Sequence, residues 1–297
     1  MCGIVGLYAK NPAFRDSLGA HLATMLVEMS DRGPDSAGVA LYRPTAKAGT
    51  VKLVVYGAQD FDWQALRLGV AKAFDPDVDL DQRGRHAVIT ATAGLEDLRG
   101  WIAEHHPELR LVSAGETIEI FKEKGHPRDV VQHFGLEGLS GSHGLGHTRM
   151  ATESAVTTEH SHPFSTGRDL CLVHNGSLSN HNRLRARLRK VGVEIKTDND
   201  SEVAAGYLAW RLAEGDSLTE ALDRGMRELD GFYTFAIGTK EGFAVLRDPI
   251  ACKHAVLAET DDWVAMATEY RAIAPLPGAD QAEIWEPQPG RIYAWGA

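Results

Sequence analysis

Strand-like segments open and close this chain while its clearest helical stretches fall between them, an order that restricts the fold more than any single motif does. Residues 2–8 form a β-branched, apolar run suited to a buried strand, and residues 39–42 read as a second. Near the other end, residues 233–238, 243–247, 255–257 and 264–267 read as further strands. Apolar residues recur at helical spacing over 13–29, where Leu18, Leu22, Met25, Leu26 and Met29 share one face. The same period returns over 180–191, 202–213 and 218–229, the second of these with Ser201 or Asp200 as its expected cap. Strands, then helices, then strands predict an α+β chain whose sheets are covered by helices, in place of a parallel βα array.

With 297 residues, the chain is long enough for one large domain or two ordinary ones. We treat residues 1–297 as one functional domain carrying an inserted α/β module at about 50–137. In that module, strand-like 51–56, 87–92 and 118–122 alternate with helix-like 63–73 and 95–104. Its histidines, His86, His105, His106, His126 and His133, lack HExxH or comparable ligand spacing, so no metal is expected there.

A formal net charge of −10 argues against nucleic acid as a partner, because phosphate backbones are bound by clustered Lys and Arg. The one basic run, residues 183–190, interleaves charge with apolar positions at helical spacing and reads as a solvated helix face. Cys2, Cys171 and Cys252 form an odd, scattered set without a CxxC pair, which indicates neither a disulfide framework nor a zinc site and fits a reducing cytoplasm. The opening apolar run is too short for a signal peptide and lacks a basic leader. No apolar stretch approaches eighteen residues, so no membrane span is expected.

Four widely separated features make one chemical proposal. Removing Met1 would leave Cys2 as the amino terminus, with a thiol and a base on the same residue. An α-amine titrates at roughly 7.7 to 8.0 and accepts a proton near neutrality. Asn175 and Gly176, after the strand-like 170–173, offer an amide and a backbone N–H to an oxyanion. Arg149 offers a planar fork that matches a carboxylate, and Asp200 a fixed negative charge for an ammonium group. Together they describe a pocket for an α-amino acid whose side-chain carbonyl is attacked. Singly, each has a plainer reading: Cys2 as a small buried hydrophobe, Asn-Gly as a turn, Arg149 as a surface cation, Asp200 as a helix cap.

The set as a whole resembles the class II glutamine amidotransferases, which are N-terminal-nucleophile hydrolases. The matching stretches are Met1-Cys2-Gly3-Ile4-Val5-Gly6, Arg32-Gly33-Pro34-Asp35-Ser36-Ala37-Gly38, Gly146-His147-Thr148-Arg149-Met150-Ala151-Thr152, His162-Pro163-Phe164, His174-Asn175-Gly176 and Asp200-Ser201-Glu202. They cover about residues 1–45 and 140–275. The resemblance implies a four-layer αββα sandwich with Cys2 as nucleophile, its freed amine as general base, and Asn175 and Gly176 as the oxyanion hole. It further implies that Arg149 binds the α-carboxylate of L-glutamine, Asp200 its α-amino group, and that Thr152 contacts substrate.

Met150 and Glu153 stand where amino-sugar-forming relatives carry Trp and His. Residues 148–154 look more like the stand-alone amidotransferase proteins related to glutamate synthase, including the small subunit of N-methylglutamate synthase. The sequence contains no GxGxxG after a strand, no P-loop and no flavin signature. The chain is therefore expected to carry no cofactor itself and to pass ammonia to a partner synthase subunit in a hetero-oligomer. Any FMN or Fe–S cluster would belong to that partner. The competing expectations are a stand-alone N-terminal-nucleophile amidase, and a non-catalytic regulatory or scaffold subunit of the same fold.

Overall fold

The computed structural model describes residues 2–45, 47–150 and 155–296. It begins with β1 (Gly3–Ala9), α1 (Leu18–Glu28) and β2 (Ser36–Tyr42). The middle of the chain supplies β3 (Thr50–Tyr56), α2 (Trp63–Ala73), β4 (Asp79–Arg83), β5 (His86–Thr92), α3 (Leu95–His105) and β6 (Arg110–Gly115). Next come β7 (Ile118–Lys124), α4 (Pro127–Phe134), β8 (His143–Arg149), β9 (Phe164–Gly167) and β10 (Leu170–Leu178). Three helices follow, α5 (His181–Lys190), α6 (Asp200–Ala213) and α7 (Leu218–Glu228). The chain closes with β11 (Gly231–Gly238), β12 (Phe243–Arg247), β13 (Val256–Glu259), β14 (Trp263–Ala267), β15 (Glu283–Trp285) and β16 (Ile292–Trp295).

Seven strands form one sheet in the order β15-β13-β14-β1-β8-β2-β7, and five form a second in the order β16-β12-β11-β10-β9. The ladders within both are antiparallel. Every residue of β1 except Tyr8 is buried, as a strand covered on both faces must be. Its alternation sorts side chains between two cores. Ile4 joins Leu145, Val173, Ala236 and Phe243 between the sheets, whereas Val5 and Leu7 join Leu22, Met25 and Leu26 of α1 on the outside. On the second sheet, Leu172, Phe235 and Leu246 face outward onto Leu184, Val203, Tyr207 and Leu222 of α5, α6 and α7. Helix, sheet, sheet, helix is thus the order of layers, the αββα sandwich implied by the resemblance. The arginine-rich α5 buries Leu184 and Leu188 while Arg183, Arg187, Arg189 and Lys190 stay exposed.

Close approach of α1 to the first sheet depends on β8. A Cβ at Gly144 would lie 2.8 Å from Leu22 Cδ2, and one at Gly146 would lie 2.9 Å from Leu26 Cδ1. The same glycines lower the strand propensity of 143–149, which is why the segment does not announce itself as a central strand.

The middle of the chain builds a third sheet, β4-β5-β3-β6, packed on α2 and α3 around Leu53, Leu66, Ile89 and Leu98. That unit ends at Gly115. The strand expected at 118–122 does not belong to it: β7 pairs with β2 at the edge of the seven-stranded sheet, and α4 packs beside α1. The apolar positions of β7 divide accordingly, with Ile118 and Ile120 facing the intersheet core and Phe121 facing the α1 side.

Asp169, between β9 and β10, ties the end of this unit to the sandwich. Its buried carboxylate accepts from the backbone N–H groups of Glu116, Thr117 and Ile118 at 2.8 to 3.1 Å and from the Thr117 hydroxyl at 3.0 Å. Asp169→Asn keeps a side chain that tolerates the local φ of 48° but replaces one acceptor oxygen with a donor and removes the charge. We expect it to lower the unfolding free energy by about 3 kcal/mol. An unchanged denaturant midpoint would show that this anchor contributes little.

Candidate active site

Cys2 precedes the first residue of β1, in the middle of the seven-stranded sheet. Its backbone carbonyl accepts from Arg32 Nε at 3.1 Å and from Asn175 Nδ2 at 3.2 Å, so the residue is gripped by the turn between α1 and β2 and by the second sheet while its side chain stays partly exposed. The thiol contacts a carbonyl, Met150 O at 3.8 Å. The other two cysteines sit elsewhere. Cys252 is exposed, and Cys171 is enclosed in the intersheet core, where burial pushes its thiol up to about 12.

Asn175 and Gly176 were expected to form a turn at the end of a strand. Instead β10 runs on to Leu178, with Asn175 opposite Thr234 and Gly176 opposite Tyr233. Gly176 has a φ of 148°, and a Cβ there would sit 2.0 Å from Phe232 O, so the ladder continues only because the residue is glycine. Asn175 is buried. Its amide also donates to Thr268 Oγ1 at 3.2 Å, and that hydroxyl accepts from Ile4 N at 2.8 Å. Thr268 therefore links the oxyanion candidate to the start of β1, a role that nothing in its local sequence signals.

Arg149 ends β8 and is buried, with Nη1 donating to Ala155 O at 3.1 Å. It lies next in sequence to Met150, whose carbonyl meets the thiol, and its backbone pairs with Ser36 of the Arg32–Gly38 motif. Asp200 is the first residue of α6. The cap of this helix is Asn199, whose side chain accepts from Ser201 N, and not Ser201 or Asp200. With capping left to Asn199, the Asp200 carboxylate is free to reach back to β10, where Oδ2 accepts from Leu178 N at 2.9 Å. Its position on the first turn suits an anion. Thr152 lies outside the described residues.

Three histidines of the motif stretches, His147, His162 and His174, gather beneath these residues. The rings of His147 and His162 stack at 4.0 Å, and His174 Nδ1 lies 2.9 Å from Ser201 Oγ. Burial lowers all three, His147 to about 3 and His162 well below its usual range. Burial also lowers His174, against the opposing pull of the Asp200 carboxylate. All three are neutral at pH 7. Lys122 holds the backbone just before β9, donating to Ser161 O at 2.7 Å and Pro163 O at 3.2 Å, and burial pushes it down to about 8.

A separate cavity of about 1170 Å³ opens between β6, residues 157–168 and α6, and none of Cys2, Arg149, Asn175, Gly176 or Asp200 lines it. Among the described residues, no group of three or more His, Cys, Asp or Glu could hold a metal ion. No helix there is long and apolar enough to cross a membrane.

Comparison with known proteins identifies the scaffold. Residues 147–275 match the model of a glutamine amidotransferase domain. The glutamine amidotransferase-like protein GlxB of Rhizobium meliloti (strain 1021) is 51% identical, the alignment covering 99% of this chain and 98% of that one. The chain belongs to the class II glutamine amidotransferases. Among solved structures, this amidotransferase shares its fold with the glutamine phosphoribosylpyrophosphate amidotransferase of B. subtilis, with a TM-score of 0.63 at 18% identity. It shares it equally with an allosteric regulatory enzyme of purine biosynthesis, with a TM-score of 0.65 at 19% identity. Each match covers 99% of the amidotransferase chain but 47% and 46% of the solved chain, so it spans about half the length of those two enzymes.

Proposed function

We propose that this amidotransferase hydrolyses L-glutamine through a thioester on Cys2, freed of Met1. Cys2 Sγ attacks the δ-carbonyl while the α-amine takes the thiol proton, and the tetrahedral oxyanion is held by the Gly176 N–H and by the Asn175 amide, which gives up its 3.2 Å contact to Thr268 Oγ1 for it. The amine returns its proton to the departing ammonia. Water then releases glutamate from the γ-glutamyl thioester. Arg149 binds the α-carboxylate, Asp200 the α-ammonium, and Thr152 adds a substrate contact.

The observation that carries this reading is the hydrogen bond from Asn175 Nδ2 to Cys2 O, which sets the oxyanion donor against the nucleophilic residue across the two sheets. Among the described residues, Sγ donates to a carbonyl, Met150 O, in keeping with a base supplied by the terminal amine. The ammonia then passes to a partner synthase subunit of glutamate synthase or N-methylglutamate synthase type, in the cytoplasm. Support for that finer step is the likeness of residues 148–154 to the amidotransferase subunits of that group. An amidase for other amides is disfavoured by the pairing of a buried Arg149 with Asp200, which suits both ends of an amino acid.

Glutamate release from glutamine by the full chain, with and without its co-purifying partner, tests the activity. Arg149→Lys keeps the charge but loses the planar fork, so KM for glutamine is expected to rise about tenfold with kcat within about twofold. Unchanged KM would remove Arg149 from the carboxylate site.

A further inference from the structure

His147, His162, His174 and Ser201 come from four different segments and close a hydrogen-bonded, stacked circuit. His147 Nε2 lies 3.2 Å from His174 O, His174 Nδ1 lies 2.9 Å from Ser201 Oγ, and Ser201 Oγ lies 3.2 Å from His162 Nε2. His162 completes the ring by stacking on His147 with the planes 16° apart. The members are exposed by 1%, 5%, 4% and 2% in chain order, so water does not compete for these contacts. Their spacing matches the proposed site. His147 is two residues before Arg149 on the same strand, His174 adjoins Asn175, and Ser201 adjoins Asp200.

The proton ledger gives the circuit a direction. His174 O can only accept, so His147 presents Nε2–H to it. Ser201 has one hydroxyl proton, and Asp200 Oδ1 at 3.3 Å can only accept it, so both ring nitrogens that reach Ser201 Oγ, His174 Nδ1 and His162 Nε2 at 3.2 Å, must be donors. His174 therefore supplies Nδ1–H to Ser201, which leaves its Nε2 bare. That nitrogen lies against Gly176, 2.8 Å from where a Cβ would stand.

We propose that His147, His174 and Ser201, braced by His162, are positioning residues that set the oxyanion donor Asn175 and the ammonium-binding Asp200 in register with one another. His147 fixes the peptide that carries Asn175 by donating to the carbonyl just before it. Ser201, itself fixed by His174, fixes Oδ1 of Asp200, while Leu178 N holds Oδ2. The inference rests on the glutamine reading of the site and adds the prediction that its two functions can be separated by mutation.

Steady-state glutamine hydrolysis by the full chain decides this, with each variant first checked for the wild-type melting transition. His147→Leu removes the donor to β10 and is expected to lower kcat by about 10- to 100-fold with KM within about twofold, since a displaced catalytic group costs on that order. His147→Gln, whose amide nitrogen reaches toward the Nε2 position, should recover most of that loss. Ser201→Ala should do the reverse, raising KM about tenfold with kcat nearly kept, and Ser201→Thr should restore KM. If His147→Leu does not fold, the serine pair alone carries the test. Folded leucine and alanine variants with wild-type constants, or losses unsplit between kcat and KM and not rescued by Gln and Thr, would overturn the inference alone. An inactive wild-type chain, or an active Cys2→Ala variant, would overturn the glutamine reading and this inference with it.

Discussion

Replacing Cys2 with serine is expected to lower glutamine hydrolysis at least about a thousandfold, to the background left by substrate binding and the oxyanion donors. The substitution is well isolated from the fold. The strong contacts of residue 2 are made by its backbone carbonyl, with Arg32 Nε and Asn175 Nδ2, and a serine keeps both. The side chain itself gives up only a long thiol contact to Met150 O. What is lost is chemical: an alcohol is far less ionised than a thiol near pH 8, and the terminal amine is too weak a base to compensate. The measurement is glutamate release at saturating glutamine, paired with intact mass to establish that Met1 has been removed from both proteins. The exposed Cys252 serves as the control, since Cys252→Ser should leave the rate unchanged. Comparable turnover by Cys2→Ser and wild type would end the thioester mechanism while leaving the family assignment intact.

The same contacts explain why some of this molecule could be read from its residues and some could not. β1, α2 and α3 are legible because each carries a complete local signal, a continuous apolar run or a full helical period, and their tertiary surroundings agree with it. β8 carries no such signal. Its strand state is imposed by β1 and β2 on either side and by α1, whose Leu22 and Leu26 need the glycines that weaken the local preference. Asn175-Gly176 misleads in the opposite direction, because the dipeptide favours a turn in isolation but is overridden by eight paired positions between β10 and β11. The short β9, β15 and β16 lie at sheet edges, where pairing on one side decides a strand that sequence periodicity barely marks.

The candidate site divides along the same line. Cys2, Arg149, Asn175, Gly176 and Asp200 stand out because chemistry demands particular residue types of them. Their supports do not stand out: Thr268 and Ser201 are ordinary hydroxyl residues until β1, β10 and α6 bring them under Asn175 and Asp200. The buried histidines are harder still. Their hydrogen-bond partners lie 27 to 39 residues away, so no spacing rule identifies them.

Those histidines bring a second large effect, a steep loss of stability in mild acid. Burial pushes His86 and His147 down to about 3 and His143 to about 4, against a usual value near 6.5 that the unfolded chain retains. The native state therefore refuses protons that the unfolded state accepts. The stability these groups protect is complete above about pH 6.5 and is lost as pH falls from there toward their native values. By pH 5 each costs about 2 kcal/mol, and three together about 6 kcal/mol, comparable with the whole margin of an ordinary domain. His162 and His174 are lowered by burial as well and act in the same sense. Thermal melts from pH 7.5 to 5.0 should thus show Tm falling steeply below pH 6.5, before ordinary carboxylates begin to titrate. A flat Tm down to pH 5 would mean that these rings are hydrated or protonated in the native state. His86 allows the effect to be assigned, because its ring lies against Tyr56, Phe121 and Phe134 with no hydrogen bond from either nitrogen among the described residues. His86→Leu should reduce the slope of unfolding free energy between pH 6 and 5 by about 1 kcal/mol per pH unit. A variant that keeps the full wild-type slope would remove His86 from the titrating set and shift the acid sensitivity to His143 and the histidines of the candidate site.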